Sequence, residues 1–273
     1  TADRKTYLMD DKGFWRLFNY IPSNTYNTTD NLDIIRNAGE AFGQFQMMLS
    51  DFDASSLYET IPNFHNTPKR YEQLVADAQA DPKGRLAEAR PEYDWLLSVR
   101  EQACRLTNLH EQGLLPLRVT HNDTKINNVL FDPDTDDALV VIDLDTVMPG
   151  LVGHDFGDAI RFAANYVEED SPHADQAGIN LDIFRTFTQG FLKPTAHALT
   201  ELEIATLPLS CLVLACELSV RFLDDYLLGD PYFKINYPSH NLVRARCQIA
   251  LAKDMLAKME QMEQIVQECL HAC

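Results

Sequence analysis

The chain has 273 residues, a formal net charge of −18, 45% hydrophobic residues and 23% charged residues. That mixture suits one large globular domain, or one large and one small, with a substantial core. So acidic a surface repels phosphate backbones and anionic bilayers, which excludes nucleic acid and membrane as first partners.

The six cysteines, Cys104, Cys211, Cys216, Cys247, Cys269 and Cys273, form no CxxC pair, and most sit in apolar helical patterns. They are expected as reduced, buried thiols of a cytoplasmic protein, with neither a disulfide framework nor a zinc site. The longest apolar run, 207–220, is interrupted by Glu217 and is too short to span a bilayer. No signal peptide is evident, and the first twenty residues read as the middle of a domain, so the chain is expected to be a fragment.

Taken in order, residues 5–9 and 14–20 predict two strands joined by a turn at Asp10, Asp11, Lys12 and Gly13. Residues 21–29, with Pro22 and several Asn and Thr, read as a linker. Leu32, Ile35, Ala38, Phe42, Phe45, Leu49 and Phe52 recur at three or four residues and predict a long amphipathic helix. Residues 62–68 break it, and shorter helices are expected over 69–80 and 92–112. Residues 117–120, 129–131 and 138–142 predict three short strands, the last two flanking an Asp-rich turn at 132–137. Beyond them the chain reads as wholly helical. Thr200 and Glu203 form a capping box opening an apolar helix to about Leu228, and a last helix is expected over 241–271.

The chemistry concentrates between these strands. Transfer of a phosphoryl group to a hydroxyl needs a carboxylate to orient that hydroxyl and take its proton, and hard oxygen ligands for Mg²⁺ on the phosphates. Asp123, two residues after His121, would face the acceptor. Asn128, five residues on, and Asp143, at the end of the third strand, would hold the metal. The spacing H-x-D-x-x-x-x-N followed by a hairpin strand ending in Asp is that of kinase catalytic and metal-binding loops. His121 is expected to brace the loop rather than act as a base. Asp155, at the start of a helix, is expected as an N-cap that also braces it. Asp145 is either a second carboxylate behind the metal or a substrate contact, and Lys125 either approaches the transferred phosphate or is solvated. Without further information, Arg221 reads as an ion pair with Glu217 one helical turn before it.

Several strings carry a resemblance beyond that spacing. Residues 121–128, 142–150 and 155–162, together with Ala41–Gln46, Asp51–Ala54, Arg221–Leu223, Asp225–Leu227 and Asn241–Arg244, resemble the N-acetylhexosamine 1-kinases. Those belong to the aminoglycoside-phosphotransferase/choline-kinase-like superfamily. The resemblance implies an α+β, predominantly helical fold: the C-terminal lobe of a protein-kinase-like architecture, with a remnant of the N-lobe sheet. Residues 1–22 would be remnant strands and hinge, and 23–273 the helical catalytic lobe.

The same resemblance implies transfer from ATP, with Mg²⁺, to the anomeric hydroxyl of GlcNAc or GalNAc. Asp123 matches the catalytic base and a sugar contact, and Asn128 and Asp143 match the metal ligands. Arg221 and Tyr232 match sugar-contacting positions. Phe18 and Tyr20 fall in the hinge that meets adenine, with Leu130 and Ile142 as floor residues. A phosphate loop and a phosphate-gripping lysine are implied ahead of this chain, since no G-x-G-x-x-G precedes Asp10. The chain alone is therefore expected to lack its own phosphate grip.

Other readings keep the loop and change its use. The acceptor could be choline, homoserine or an aminoglycoside, or the lobe could bind sugar without catalysis. Asp143-Leu144-Asp145-Thr146 also fits the D-x-D-T form of haloacid-dehalogenase phosphatases, but that fold needs alternating strands and helices downstream.

Overall fold

The structure, a computed structural model, describes residues 5–273, so the first four residues of the expected segment 1–22 lie outside the described residues. Strands β1 (Leu8–Asp10) and β2 (Gly13–Trp15) form an antiparallel hairpin. One carboxylate oxygen of Asp10 gathers the turn, accepting from the backbone N–H of Lys12 and Gly13 and from the Trp15 indole. Both strands are shorter than the expected spans: β1 begins at Leu8 rather than at residue 5, and β2 ends at Trp15 rather than at residue 20. Between Trp15 and Asn24 the described residues form no strand pairing, and Leu17, Phe18 and Tyr20 face solvent. The chain regains a partner at Asn24, which exchanges backbone hydrogen bonds of 2.9 and 3.0 Å with Phe131.

Helix α1 (Leu32–Met48) is opened by Asn31, whose side chain accepts from the Asp33 N–H. It ends before Phe52, buries Ile35, Ala38, Phe42 and Phe45, and lies along α7 (Leu181–Thr195). Glycines bring these two backbones together. A Cβ at Gly39 would collide with the Phe187 carbonyl, one at Gly190 with the Arg36 carbonyl, and one at Gly43 would lie 2.7 Å from the Phe191 carbonyl oxygen.

Helix α2 (Thr67–Ala80) follows the proline-containing break, capped by the Asn66 side chain. The helix expected over 92–112 starts earlier and is three pieces: α3 (Leu86–Ser98), α4 (Arg100–Ala103) and α5 (Arg105–Glu111). Each piece touches the long central helix α9 (Leu207–Leu228), and the two breaks let a straight segment bend around it.

Two small antiparallel pairs carry the polar loops. Strand β3 (Arg118–Thr120) pairs with β6 (Met148–Gly150), and β4 (Val129–Phe131) pairs with β5 (Ala138–Val141). Strand β6 corrects the expectation that everything after residue 142 is helical. It is three residues long, contains a proline and exists only through its ladder to β3. Helix α6 (Val152–Ala163) follows at once.

The capping box at Thr200 and Glu203 is present, but it opens only α8 (Glu201–Ala205). A break at Thr206 precedes α9, where Pro208 occupies the first turn, a position that needs no backbone N–H. The last expected helix is likewise split at Lys258 into α10 (His240–Ala257) and α11 (Met259–His271). Buried on nearly every face, α9 is the axis of a mostly helical fold. All six cysteines are free; five are buried and Cys273 is exposed. Among the described residues no helix is long and apolar enough to cross a membrane.

Candidate active site

The loop between β3 and β4 is held from below by one carboxylate. Asp155 is fully inside the protein and accepts from the His121 N–H (2.9 Å), the Asn122 N–H (2.7 Å) and the Gln46 side-chain amide (2.6 Å). Burial pushes its carboxyl above the ordinary range, opposed by the His121 ring and by these donors. Asp155 is not the N-cap of α6: the cap is Leu151, and Asp155 sits one turn in, which aims its carboxylate back at the loop.

Further bonds complete the cradle. The Thr124 hydroxyl donates to the Asp155 carbonyl, and the Thr146 hydroxyl donates to the His121 carbonyl (2.6 Å). The Asn122 side-chain amide donates to the Thr146 carbonyl (3.0 Å). The backbone at Asn122 is left-handed (φ 64°), a conformation that Asn tolerates better than most residues. His121 is wholly buried between the edges of Phe42 and Phe45, with Nε2 2.9 Å from the Ile142 carbonyl oxygen. Its ring thus links the loop after β3 to the end of β5.

Above this floor Asp123 is partly exposed. Lys125 Nζ lies 3.1 Å from its Oδ1, and the Asn128 amide donates to its carbonyl (2.9 Å) and, at 3.3 Å, to its Oδ2. Asn128 Oδ1 makes no hydrogen bond among the described residues. Asp143 directly follows Ile142, whose N–H donates to the Asn128 carbonyl (2.9 Å), so one backbone contact brings 128 and 143 together. Asp143 is left-handed (φ 60°) and exposed, and its carboxylate meets no donor among the described residues. Asp145 points elsewhere, paired with Arg16 at 2.6 Å. No cluster of three His, Cys, Asp or Glu suited to a metal occurs among the described residues. The backbone contact thus sets one amide, that of Asn128, and one carboxylate, that of Asp143, on neighbouring stretches of chain.

A cleft of about 480 Å³ opens beside Asp123 and Lys125, with Thr146, Asp158, Arg221 and Tyr232 on its walls. Asp158 is buried, yet Arg161 beside it holds its carboxyl below the usual range against the opposing effect of burial. Tyr232 is largely exposed on the rim, and its N–H is fixed by Asp225, which also accepts from the Phe233 N–H and the Asn241 amide.

Arg221 makes no ion pair with Glu217. Its guanidinium lies 5.4 Å from the ring centroids of both Phe64 and Phe233 and makes no hydrogen bond among the described residues. Glu217 is engaged by other groups: His65 Nδ1 at 2.8 Å from Oε1, and the Thr67 hydroxyl at 2.7 Å from Oε2. Phe64, His65 and Phe233 were not singled out from the sequence. The first two lie in a proline-containing break, and only the fold brings them to α9.

The His65–Glu217 pair is buried and predicts a pH dependence of stability. Desolvation opposes charge on both, but the pairing prevails: it holds Glu217 down to about 2 and raises His65 above its ordinary value. Around His65 stand Glu217 and Arg221 on α9 and Asp158 and His154 on α6, the last held neutral by burial with a pKa of about 3. The His65 contribution is complete below about pH 6.5 and is lost as pH rises through the higher folded value. The Glu217 contribution is lost only as pH falls from about 4.5 toward about 2. Urea midpoints should fall more between about pH 6.5 and 9 for the wild type than for His65→Gln; parallel curves would contradict the pairing.

The four residues expected around adenine are not enclosed together. Phe18 and Tyr20 are 74% and 88% exposed, Phe18 lying against Arg16, while Leu130 and Ile142 are half-buried at the β4–β5 edge.

The pattern of the phosphotransferase enzyme family (APH) matches residues 3–192, more than half of the chain. The chain belongs to that family. Two solved structures share its fold. A choline kinase from Cryptosporidium parvum superposes with a TM-score of 0.60 at 14% identity, covering 97% of this chain and 77% of that one. A Plasmodium vivax ethanolamine kinase gives 0.54 at 12% identity, covering 89% and 66%. The helical lobe with its small antiparallel sheets is that of a protein-kinase-like phosphotransferase. The parallel sheet of a haloacid-dehalogenase phosphatase is absent from the described residues, whose strand pairs are all antiparallel.

Proposed function

We propose that this phosphotransferase transfers the γ-phosphoryl group of ATP to the anomeric hydroxyl of an N-acetylhexosamine. The observation that carries the reading is Arg221, a guanidinium in the same cleft as Asp123 that makes no ion pair or hydrogen bond among the described residues. Such a planar fork suits sugar hydroxyls and the phosphate being formed. The cleft walls bring five cationic side chains (Lys125, Arg161, Arg221, Lys234, Arg244) and three carboxylates (Asp123, Asp158, Glu169). That balance favours a neutral acceptor. A quaternary or primary ammonium, of the kind named for the two solved relatives, would meet net repulsion there.

In this reading Asp123 orients the hydroxyl and takes its proton, while Lys125 and Asn128 fix the two carboxylate oxygens. Asn128 Oδ1 and the unpartnered Asp143 carboxylate fit Mg²⁺, which prefers hard oxygen donors and completes its shell with phosphate and water. When bound, the ion would neutralise charge developing on the phosphates. Tyr232 closes the rim over the sugar. Phe18 and Tyr20 meet adenine over Leu130 and Ile142, with residues 1–22 as remnant strands and hinge and 23–273 as the catalytic lobe.

The test uses the full-length protein with Mg-ATP and, separately, GlcNAc, GalNAc, choline, ethanolamine and homoserine, read by ³¹P NMR. A sugar 1-phosphate is expected, and exclusive phosphorylation of an amino alcohol would overturn the proposal. Arg221→Ala should raise the sugar KM by about tenfold or more while leaving the ATP KM within about twofold. Equal changes in both would count against the sugar role.

A further inference from the structure

A glutamate four residues before an arginine is the favoured i,i+4 arrangement on a helix, so Glu217 is the default partner of Arg221. On α9 that pair does not form. Both Glu217 oxygens are occupied from one short segment, Oε1 by His65 and Oε2 by Thr67. The same segment lays Phe64 against the Arg221 guanidinium, and Arg70 fastens it by donating to the Phe64 carbonyl. The His65 ring is itself lodged between Phe64 (4.5 Å between centroids) and His154 (4.7 Å).

We infer that His65 is a positioning residue for the acceptor site: by engaging Glu217 it keeps that carboxylate from capturing Arg221 and leaves the guanidinium facing the cleft. Residues 64–67 thus act as a wedge between two charges that would otherwise neutralise each other. The inference rests on the proposed role of Arg221 toward the sugar.

Its test compares His65→Ala, His65→Gln and His65→Ala/Glu217→Gln with the wild type in the full-length protein. His65→Ala frees Glu217 to bind Arg221, and the sugar KM should rise by about tenfold with kcat and ATP KM within about twofold. His65→Gln keeps an N–H donor and should stay within about threefold of the wild type, as should the double variant, in which the competing charge is gone. An unchanged sugar KM in His65→Ala, alongside a raised one in Arg221→Ala, would overturn the inference and spare the sugar reading. If Arg221→Ala also leaves the sugar KM unchanged, the sugar reading fails. The Arg221 Nε–H resonance then decides the positioning: a shift toward the ion-paired state in His65→Ala, reversed in the double variant, upholds it, and no shift overturns it. Should His65→Ala not fold, Thr67→Val frees one Glu217 oxygen and should raise the sugar KM by about threefold; no rise would equally overturn the inference.

Discussion

Asp123→Asn should lower turnover by on the order of 10²–10⁴-fold with the thermal midpoint nearly unchanged. The side chain is 27% exposed, so the substitution leaves no buried charge uncompensated. An amide keeps the shape but cannot take the acceptor's proton. It also turns one N–H toward either the Lys125 ammonium or the Asn128 amide, both donors to the native carboxylate. Single-turnover formation of phosphorylated product, measured beside a melting curve, checks both halves. Near-normal turnover would remove Asp123 from the reaction.

Asp155→Ala should have the opposite profile, a large loss of stability with activity falling as a consequence. Three donors, the N–H groups of His121 and Asn122 and the Gln46 amide, converge on this one buried carboxylate. Leaving each unpaired costs roughly 1–3 kcal/mol, so the total is at least about 3 kcal/mol. For a chain of this size that corresponds to a fall in melting temperature of roughly 10 °C. Because the freed N–H groups belong to the two residues before Asp123, kcat should drop even at temperatures where the variant is folded. Differential scanning calorimetry and kinetics at 15 °C separate the two effects. A variant that melts like the wild type would mean that the loop is held elsewhere.

What could be read from the residues follows the range of the interactions. The antiparallel return from β4 to β5 was legible because β-branched and apolar residues flank an Asp-rich turn within one short stretch. The loop between β3 and β4 was legible because its polar residues sit at fixed, local spacing. Strand β6 was not, since three residues including Pro149 carry no periodic signal and take their form from β3, nearly thirty residues away. The breaks at Thr206 and Lys258 were hidden because apolar periodicity runs through both. Arg221 is the sharpest case. Local spacing pointed to Glu217, and the true arrangement depends on His65 and Thr67, about 150 residues distant. Asp155 was read as a cap because Asp near a helix start usually is one. Its real position, a turn inside α6, is set by Leu151 taking the end of that helix.

The glycine contacts between α1 and α7 have a mechanical consequence. Where two backbones touch directly there is no layer of side chains to absorb a displacement, so the pair behaves as one girder. Gln46 projects from that girder less than a turn beyond Gly43 and ends on Asp155. The height of the loop carrying Asp123 is thereby gauged from a joint between helices remote from the cleft, and even an extra methyl group at that joint would be transmitted as a change of aim at the reacting centre.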